Sequence, residues 1–180
     1  QKITATFGLL QYVIVNPLQK ETFEQARHLL KAPKCVGIKI HPEEHCYKIS
    51  EYGNELFEFF GDVNAPVMTH SGCPNSLPED FVEFANRFPT VNLLLAHLGN
   101  GAGKGFRADL QVRALQECIH GNVWIDTSSA KSILPGLVEW AVDEVGAERL
   151  LYGSDTPLYH VALQRERIMA AEISEANREL

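Results

Sequence analysis

Apolar residues occur along the chain in six short runs, and each run ends at polar residues, glycine or proline. The runs are rich in Val, Ile and Leu and do not alternate cleanly with polar positions. This pattern is typical of strands that are buried on both faces of a parallel sheet. It predicts six strands, at residues 10–15, 35–40, 66–69, 91–96, 123–125 and 150–152.

Segments with helical spacing follow each run and predict helices at residues 22–30, 50–60, 78–88, 110–120, 134–145 and 161–180. Thr22 and Ser50 are residue types that cap helix N-termini, and Pro78 suits a first helical turn. Gly121 and Gly146 are the expected stops of the helices before them. The last helix is expected to be the longest.

The strand–helix unit is therefore repeated six times, which predicts an α/β fold in one domain covering residues 1–180. Polar residues stand at regular intervals where successive strands end. They are Lys39, His70, His97, Asp126 and Asp155, separated by 31, 27, 29 and 29 residues. In a doubly wound sheet or a (βα)8 barrel, ligands bind at this carboxyl edge of the strands.

Composition narrows the function classes. Hydrophobic residues make up 45% and charged residues 22% of the chain, as in ordinary soluble proteins, and the net charge is −7. This charge argues against nucleic-acid and membrane-surface partners. Four cysteines without a CxxC pair favour reduced thiols in a cytoplasmic protein. We expect a small-molecule substrate, and the sequence leaves a homo-oligomer open.

Histidine and aspartate at neighbouring strand ends are ligand types for Zn²⁺ and similar divalent ions. Such an ion lowers the pKa of water to about 7 and so makes hydroxide available at neutral pH. Each residue also has a plain structural interpretation. His70 and His97 are suited to bonding the backbone, and Asp155 is suited to capping the next helix. Asp126 is suited to holding a neighbouring side chain.

The strand-end sequences GIKIHP, PVMTHSG, LLLAHLGNG, VWIDTSS and LLYGSDTP resemble, in this order, the amidohydrolase-related family of the amidohydrolase superfamily. That family includes metal-dependent hydrolases and decarboxylases of the aminocarboxymuconate-semialdehyde type. The resemblance implies a TIM-type (βα)8 barrel, of which this chain holds the six C-terminal βα units, strands three to eight. It also implies a divalent metal, with zinc as the first expectation.

Carried over by position, the resemblance makes His70 and Asp155 metal ligands and His97 a catalytic residue beside the metal. Asp155 would also accept the proton of the attacking water. Lys39 lies where some members of the superfamily carry a carbamylated lysine, but we expect it to bind substrate or to form a buried ion pair. His41, two residues on, faces the same side and is a second candidate for substrate binding.

The family's His-x-His pair of strand one does not occur in these 180 residues. We therefore expect residues upstream of Gln1, and we expect this segment alone to be inactive. Three functions stay open. The first is hydrolysis of a small polar substrate by metal-activated water, and the second is non-oxidative decarboxylation at the same site. The third is a non-catalytic remnant.

Overall fold

The computed structural model describes residues 6–105, 107–129 and 133–179. Six parallel strands pair in chain order. The strands are β1 (Gln11–Ile14), β2 (Cys35–Ile40), β3 (Val67–Thr69), β4 (Leu93–Leu95), β5 (Val123–Asp126) and β6 (Leu150–Leu151). The predicted six-stranded parallel sheet is confirmed, although four of its strands are shorter than the apolar runs that predicted them.

Helices connect the strands and alternate with them. They are α1 (Glu21–Leu29), α2 (Ile49–Val63), α3 (Val82–Arg87), α4 (Leu110–Glu117), α5 (Leu137–Val145), α6 (Val161–Met169) and α7 (Glu175–Arg178). Short 3-10 helices cover Pro78–Phe81, Ala102–Lys104 and Ala147–Arg149. Pro78 lies in a first helical turn and Gly146 follows the end of α5, as the sequence predicts.

Two of the predicted N-terminal caps are wrong. Helix α1 begins at Glu21, so Thr22 lies inside it. The Thr22 hydroxyl instead accepts a hydrogen bond from the Asn16 backbone N–H (3.0 Å), which ties the end of β1 to the helix. Helix α2 begins at Ile49, so Ser50 is already in its first turn.

The single long helix predicted for residues 161–180 is also wrong. The chain leaves the helical path after Met169 and starts again at Glu175. Ser174 caps the second helix, because its hydroxyl accepts a hydrogen bond from the Asn177 N–H (3.2 Å). Serine stabilises a new helix start better than a helix interior, which accounts for the break. Leu180 lies outside the described residues.

The main core lies under α2, whose apolar face is Leu56, Phe57 and Phe60, all fully buried. The Phe57 ring stacks on Phe84 with centroids 5.4 Å apart. Full burial of such a side chain is worth about 1.5–3 kcal/mol, so this face fixes the second βα unit against the third.

Strands β1 and β6 are the two edges of the sheet in the described part of the chain. Apolar side chains near both edges are exposed, namely Tyr12 and Ile14 at β1 and Leu151 and Tyr152 at β6. The arrangement matches part of a TIM barrel, which has eight parallel strands. Within residues 6–105, 107–129 and 133–179, no helix has the length and apolar character needed to cross a bilayer.

Candidate active site

The carboxyl ends of the strands surround a cavity of about 340 Å³. Lys39 and His41 come from the end of β2, His70 from β3, His97 from β4 and Asp155 from the segment after β6. All five residues line this cavity. The structure therefore brings together the five residues predicted to bind metal or substrate or to act in catalysis.

Lys39 brings a positive charge to the cavity wall. Its side chain is half-buried and forms neither a hydrogen bond nor an ion pair with any described residue. Loss of water around the ammonium group lowers the pKa of Lys39, and the charges of Asp126 and Asp155 partly oppose that shift. The predicted ion pair of Lys39 is absent among the described residues, so its charge is open to an anionic ligand.

Three imidazole rings form a row along the cavity. The His41 ring stacks on His70 with centroids 4.3 Å apart, and His70 meets His97 edge to face at 4.8 Å. His41 is held by its own loop, because its Nδ1 accepts the Glu44 backbone N–H (3.2 Å). Burial, followed by the nearby charge of Lys39, lowers the pKa of His41. The Nε2 atom of His70 lies 3.1 Å from the Cys73 sulfur.

His97 is held rigidly from behind. Its backbone has φ of 75°, a left-handed conformation that residues other than glycine rarely adopt outside functional or strained positions. The Asp126 carboxylate stabilises this conformation by accepting the His97 backbone N–H (2.9 Å). On the ring, Nδ1 lies 2.7 Å from the Ser128 hydroxyl. Burial lowers the pKa of His97, and the charge of Asp126 acts in the opposite direction.

Asp155 does not cap a helix. The N-cap of α6 is His160, whose Nδ1 accepts the Ala162 N–H (3.3 Å). The Asp155 carboxylate makes no hydrogen bond or ion pair with any described residue, although its side chain is half-buried. Its backbone φ is 51°, again in the left-handed region. Asp155 is therefore not the cap of the next helix, and its carboxylate lines the cavity without a hydrogen bond or ion pair to any described residue.

Two of the loops that form the cavity pack tightly on one another. Gly72, directly after the strand-end His70 and Ser71, has φ of 92°, and a Cβ there would lie 1.8 Å from the Asn100 carbonyl oxygen. The Asn100 amide donates to the Ser71 carbonyl (2.7 Å), and Gln111 donates to the Asn100 carbonyl (2.8 Å). The THSG and HLGNG segments are thus locked into one unit that positions His70 beside His97.

The sequence did not point to the remaining cavity residues, which are Glu43, Glu44, Cys73, Asn100, Ser129, Leu158 and Tyr159. They lie two or more residues beyond the strand ends, in loops whose path no local pattern specifies. Asp126 is absent from the cavity wall of the described residues. Its plain interpretation, that it holds a neighbouring side chain, is the one that the structure supports.

The cavity fits a divalent metal in the kind of donor it offers. His70 supplies an imidazole and Asp155 a carboxylate that has no other partner in the described chain. These two donors are too few for a complete metal site. The described residues contain no group of three or more His, Cys, Asp or Glu side chains arranged to hold an ion. Zinc sites usually take three or four protein ligands. These residues would therefore supply part of a metal's coordination.

A model of the amidohydrolase family matches residues 5–180 of the chain. No curated protein sequence matches the chain significantly. Among solved structures, the chain is similar to an uncharacterized TIM-barrel protein from Bordetella bronchiseptica (TM-score 0.79, 16% identity, 99% of this chain and 66% of the other).

Two enzymes are similar to a comparable degree. One is 2,6-dihydroxybenzoate decarboxylase from Rhizobium (TM-score 0.71, 15% identity, 98% of this chain and 70% of the other). The second is a dihydroxybenzoic acid decarboxylase from a Polaromonas species, solved with bound manganese and the inhibitor 2-nitroresorcinol (TM-score 0.69, 15% identity, 99% and 68%). At these identities the likeness shows the fold, and the chain spans between 66% and 70% of the three structures.

Proposed function

Because the chain belongs to the amidohydrolase family, we propose that it forms the active-site part of a metal-dependent enzyme that removes carbon dioxide non-oxidatively from a small carboxylic acid. The observation that carries the proposal is the unpaired ammonium group of Lys39 in one cavity with His97 and Asp155. Burial disfavours the charged form of Lys39, and the charges of Asp126 and Asp155 only partly oppose this effect. An anionic substrate in direct contact with the ammonium group would stabilise it further. Two of the similar structures are decarboxylases of dihydroxybenzoates, which are small anionic acids.

In this proposal His70 and Asp155 are two of the metal's ligands, and further donors complete its coordination. The ion, when bound, supplies a positive charge that stabilises negative charge developing on the substrate. Manganese is bound in the similar Polaromonas enzyme, so we propose a divalent metal and leave zinc and manganese as equal candidates. His41, which stacks on His70 at the same wall as Lys39, contacts the substrate.

The chemical step needs one proton and no oxidant. The bond between the carboxyl carbon and its neighbour breaks, its electron pair stays on the neighbouring carbon, and carbon dioxide leaves. His97, protonated from solvent, donates its proton to that carbon and is left neutral. Lys39 holds an anionic oxygen of the substrate through the step. Proton transfer by a positioned group contributes about 10²- to 10⁴-fold to such rates.

Hydrolysis of a small polar substrate is the second candidate. The Asp155 carboxylate favours it, because this group makes no hydrogen bond or ion pair with a described residue and suits a proton acceptor. Asp155 would take a proton from the attacking water, and His97 would donate one to the leaving group. The two reactions differ in the bond that breaks, so product analysis separates them.

The test uses the full-length gene product, loaded with Mn²⁺ or Zn²⁺, and two substrate panels. Hydroxylated benzoic acids are assayed for released bicarbonate, and lactones and amides are assayed for acid production. We expect bicarbonate release from at least one acid. Acid production from lactones or amides alone would establish the second candidate. No turnover in either panel at full metal occupancy would leave the non-catalytic interpretation standing.

The role of Lys39 is tested in the same assay with Lys39→Met, which removes the charge but keeps an unbranched side chain. We expect the KM of the acid to rise at least about tenfold, since a charge-assisted contact is worth roughly 1.5–3 kcal/mol. Thermal stability should not fall, because the lysine has no native partner among the described residues. Lys31→Met, at an exposed position outside the cavity, is the matched control and should leave KM unchanged.

A further inference from the structure

The Ser128 hydroxyl bridges two chemically important groups behind the cavity wall. Its oxygen lies 2.7 Å from Nδ1 of His97 and donates to Oδ1 of Asp126 at 2.5 Å. The three residues are almost completely buried, with 4% of Ser128, 5% of Asp126 and 9% of His97 exposed. Solvent therefore does not compete for these hydrogen bonds.

The direction of the bonds follows from counting protons. A carboxylate oxygen only accepts, and Oδ1 of Asp126 already accepts the backbone N–H groups of His97 (2.9 Å) and Ser128 (3.0 Å). The single hydroxyl proton of Ser128 is thus committed to Asp126. The contact between the Ser128 oxygen and His97 then requires a proton on Nδ1 of the imidazole.

A neutral imidazole carries one proton, so Nε2 of His97 keeps a free electron pair. This nitrogen makes no hydrogen bond to any described residue, and His97 lines the cavity. The ring nitrogen that can exchange a proton with a substrate is therefore Nε2. Asp126 contributes twice, because it orients the serine and also holds the strained backbone of His97.

We propose that Ser128 and Asp126 are positioning residues that hold His97 in the tautomer protonated on Nδ1 and so present Nε2 to the substrate. The proposal rests on the proposed function for the importance of His97, but the tautomer itself is independent of which reaction is catalysed. The DTSS segment would then orient the His97 ring as well as contribute Ser129 to the cavity wall.

The test is long-range ¹H–¹⁵N NMR of the full-length protein labelled with ¹⁵N-histidine, at pH 8. His97→Gln identifies the His97 signals by their loss. We expect His97 to be protonated on Nδ1. Ser128→Ala should shift the population toward protonation on Nε2, which free imidazole side chains prefer in water. Ser128→Thr keeps the hydroxyl and should keep the Nδ1 tautomer. Ser76→Ala removes a buried hydroxyl that has no partner among the described residues, and should change nothing.

Activity gives a second readout if a substrate is found. Ser128→Ala should lower kcat about 10- to 100-fold with little change in KM, because one oriented proton-transfer group is weakened. Ser128→Thr should restore much of the loss. A wild-type His97 protonated on Nε2, or an Nδ1 tautomer that survives in Ser128→Ala, would overturn the proposal. Should no carboxylic acid be turned over, the NMR result still decides the tautomer, so the two failures are distinguishable.

Discussion

Asp155→Asn should abolish turnover while leaving the fold nearly as stable as before. The substitution keeps the size of the side chain but removes its negative charge. Asparagine can neither give a metal an anionic oxygen nor accept a proton from water. As a metal ligand in the decarboxylation, Asp155 is needed for full metal content, so its loss should lower metal content and turnover together. As the proton acceptor of the hydrolytic reaction, it would contribute about 10²- to 10⁴-fold to turnover, the range for a positioned acid–base group.

The small effect on stability follows from the contacts of the side chain. The Asp155 carboxylate has no hydrogen bond and no ion pair among the described residues, and it does not cap α6. Substitutions that break no buried contact usually change the free energy of unfolding by about 0.5 kcal/mol or less. For a domain of this size that corresponds to a change of roughly 1–2 °C in Tm.

The matched control is Asp109→Asn, the same chemical change at a site outside the cavity. Asp109 forms ion pairs with Arg107 and with Arg113 one helical turn away, and exposed pairs of this kind are worth about 0.2–1 kcal/mol each. Their loss should lower Tm slightly and leave turnover within about twofold of wild type. Metal content, Tm and turnover are measured on the same preparations of both variants. Near-normal turnover of Asp155→Asn at full metal occupancy would remove Asp155 from the mechanism.

Two further predictions concern stability alone. Gly72→Ala should destabilise the protein by about 1–3 kcal/mol or more, since φ is positive there and the new Cβ would meet the facing backbone. Gly61→Ala, at an open position in α2, should stabilise it by about 0.5–1 kcal/mol. Equal effects of the two variants in denaturant melts would refute the loop contact. Hydrogen bonds from Arg107 and Arg113 hold the pKa of Asp109 well below its usual range. The contribution of Asp109 to the free energy of unfolding is therefore present above about pH 4 and is lost as the pH falls further. The stability difference between wild type and Asp109→Asn should shrink in acid, and a difference that grows below pH 4 would contradict this.

Regular parts of the fold were predictable because parallel strands must be buried on both faces. Residues 35–40 form an almost unbroken apolar run, and the structure has strand β2 at those positions. Constant spacing between polar strand ends likewise placed Lys39, His70, His97 and Asp155 at one edge. These signals are local, or they repeat with the length of one βα unit, so a single sequence contains them.

Features that depend on contacts between distant segments were not predictable. The role of Ser128 requires that β4 and β5 be neighbours, because its partner His97 is 31 residues away. Thr22 and Ser50 are residue types that often cap helices, yet α1 and α2 begin one residue before them. Before Ser174 the chain ends one helix and begins another that Ser174 caps. The composition of this segment does not show whether one helix continues or a second one starts.

The proposed enzyme breaks a carbon–carbon bond and protonates the carbon that remains. The most direct measurement is turnover of a carboxyl-¹³C-labelled hydroxybenzoic acid by the full-length, metal-loaded protein in D₂O, followed by NMR and mass spectrometry. We expect one equivalent of ¹³C-labelled carbon dioxide, measured together with the bicarbonate that it forms, and a product with one deuterium at the carbon that lost the carboxyl group. A protein that opens lactones under the same conditions, releases no labelled bicarbonate and places no deuterium on carbon would contradict the proposed reaction.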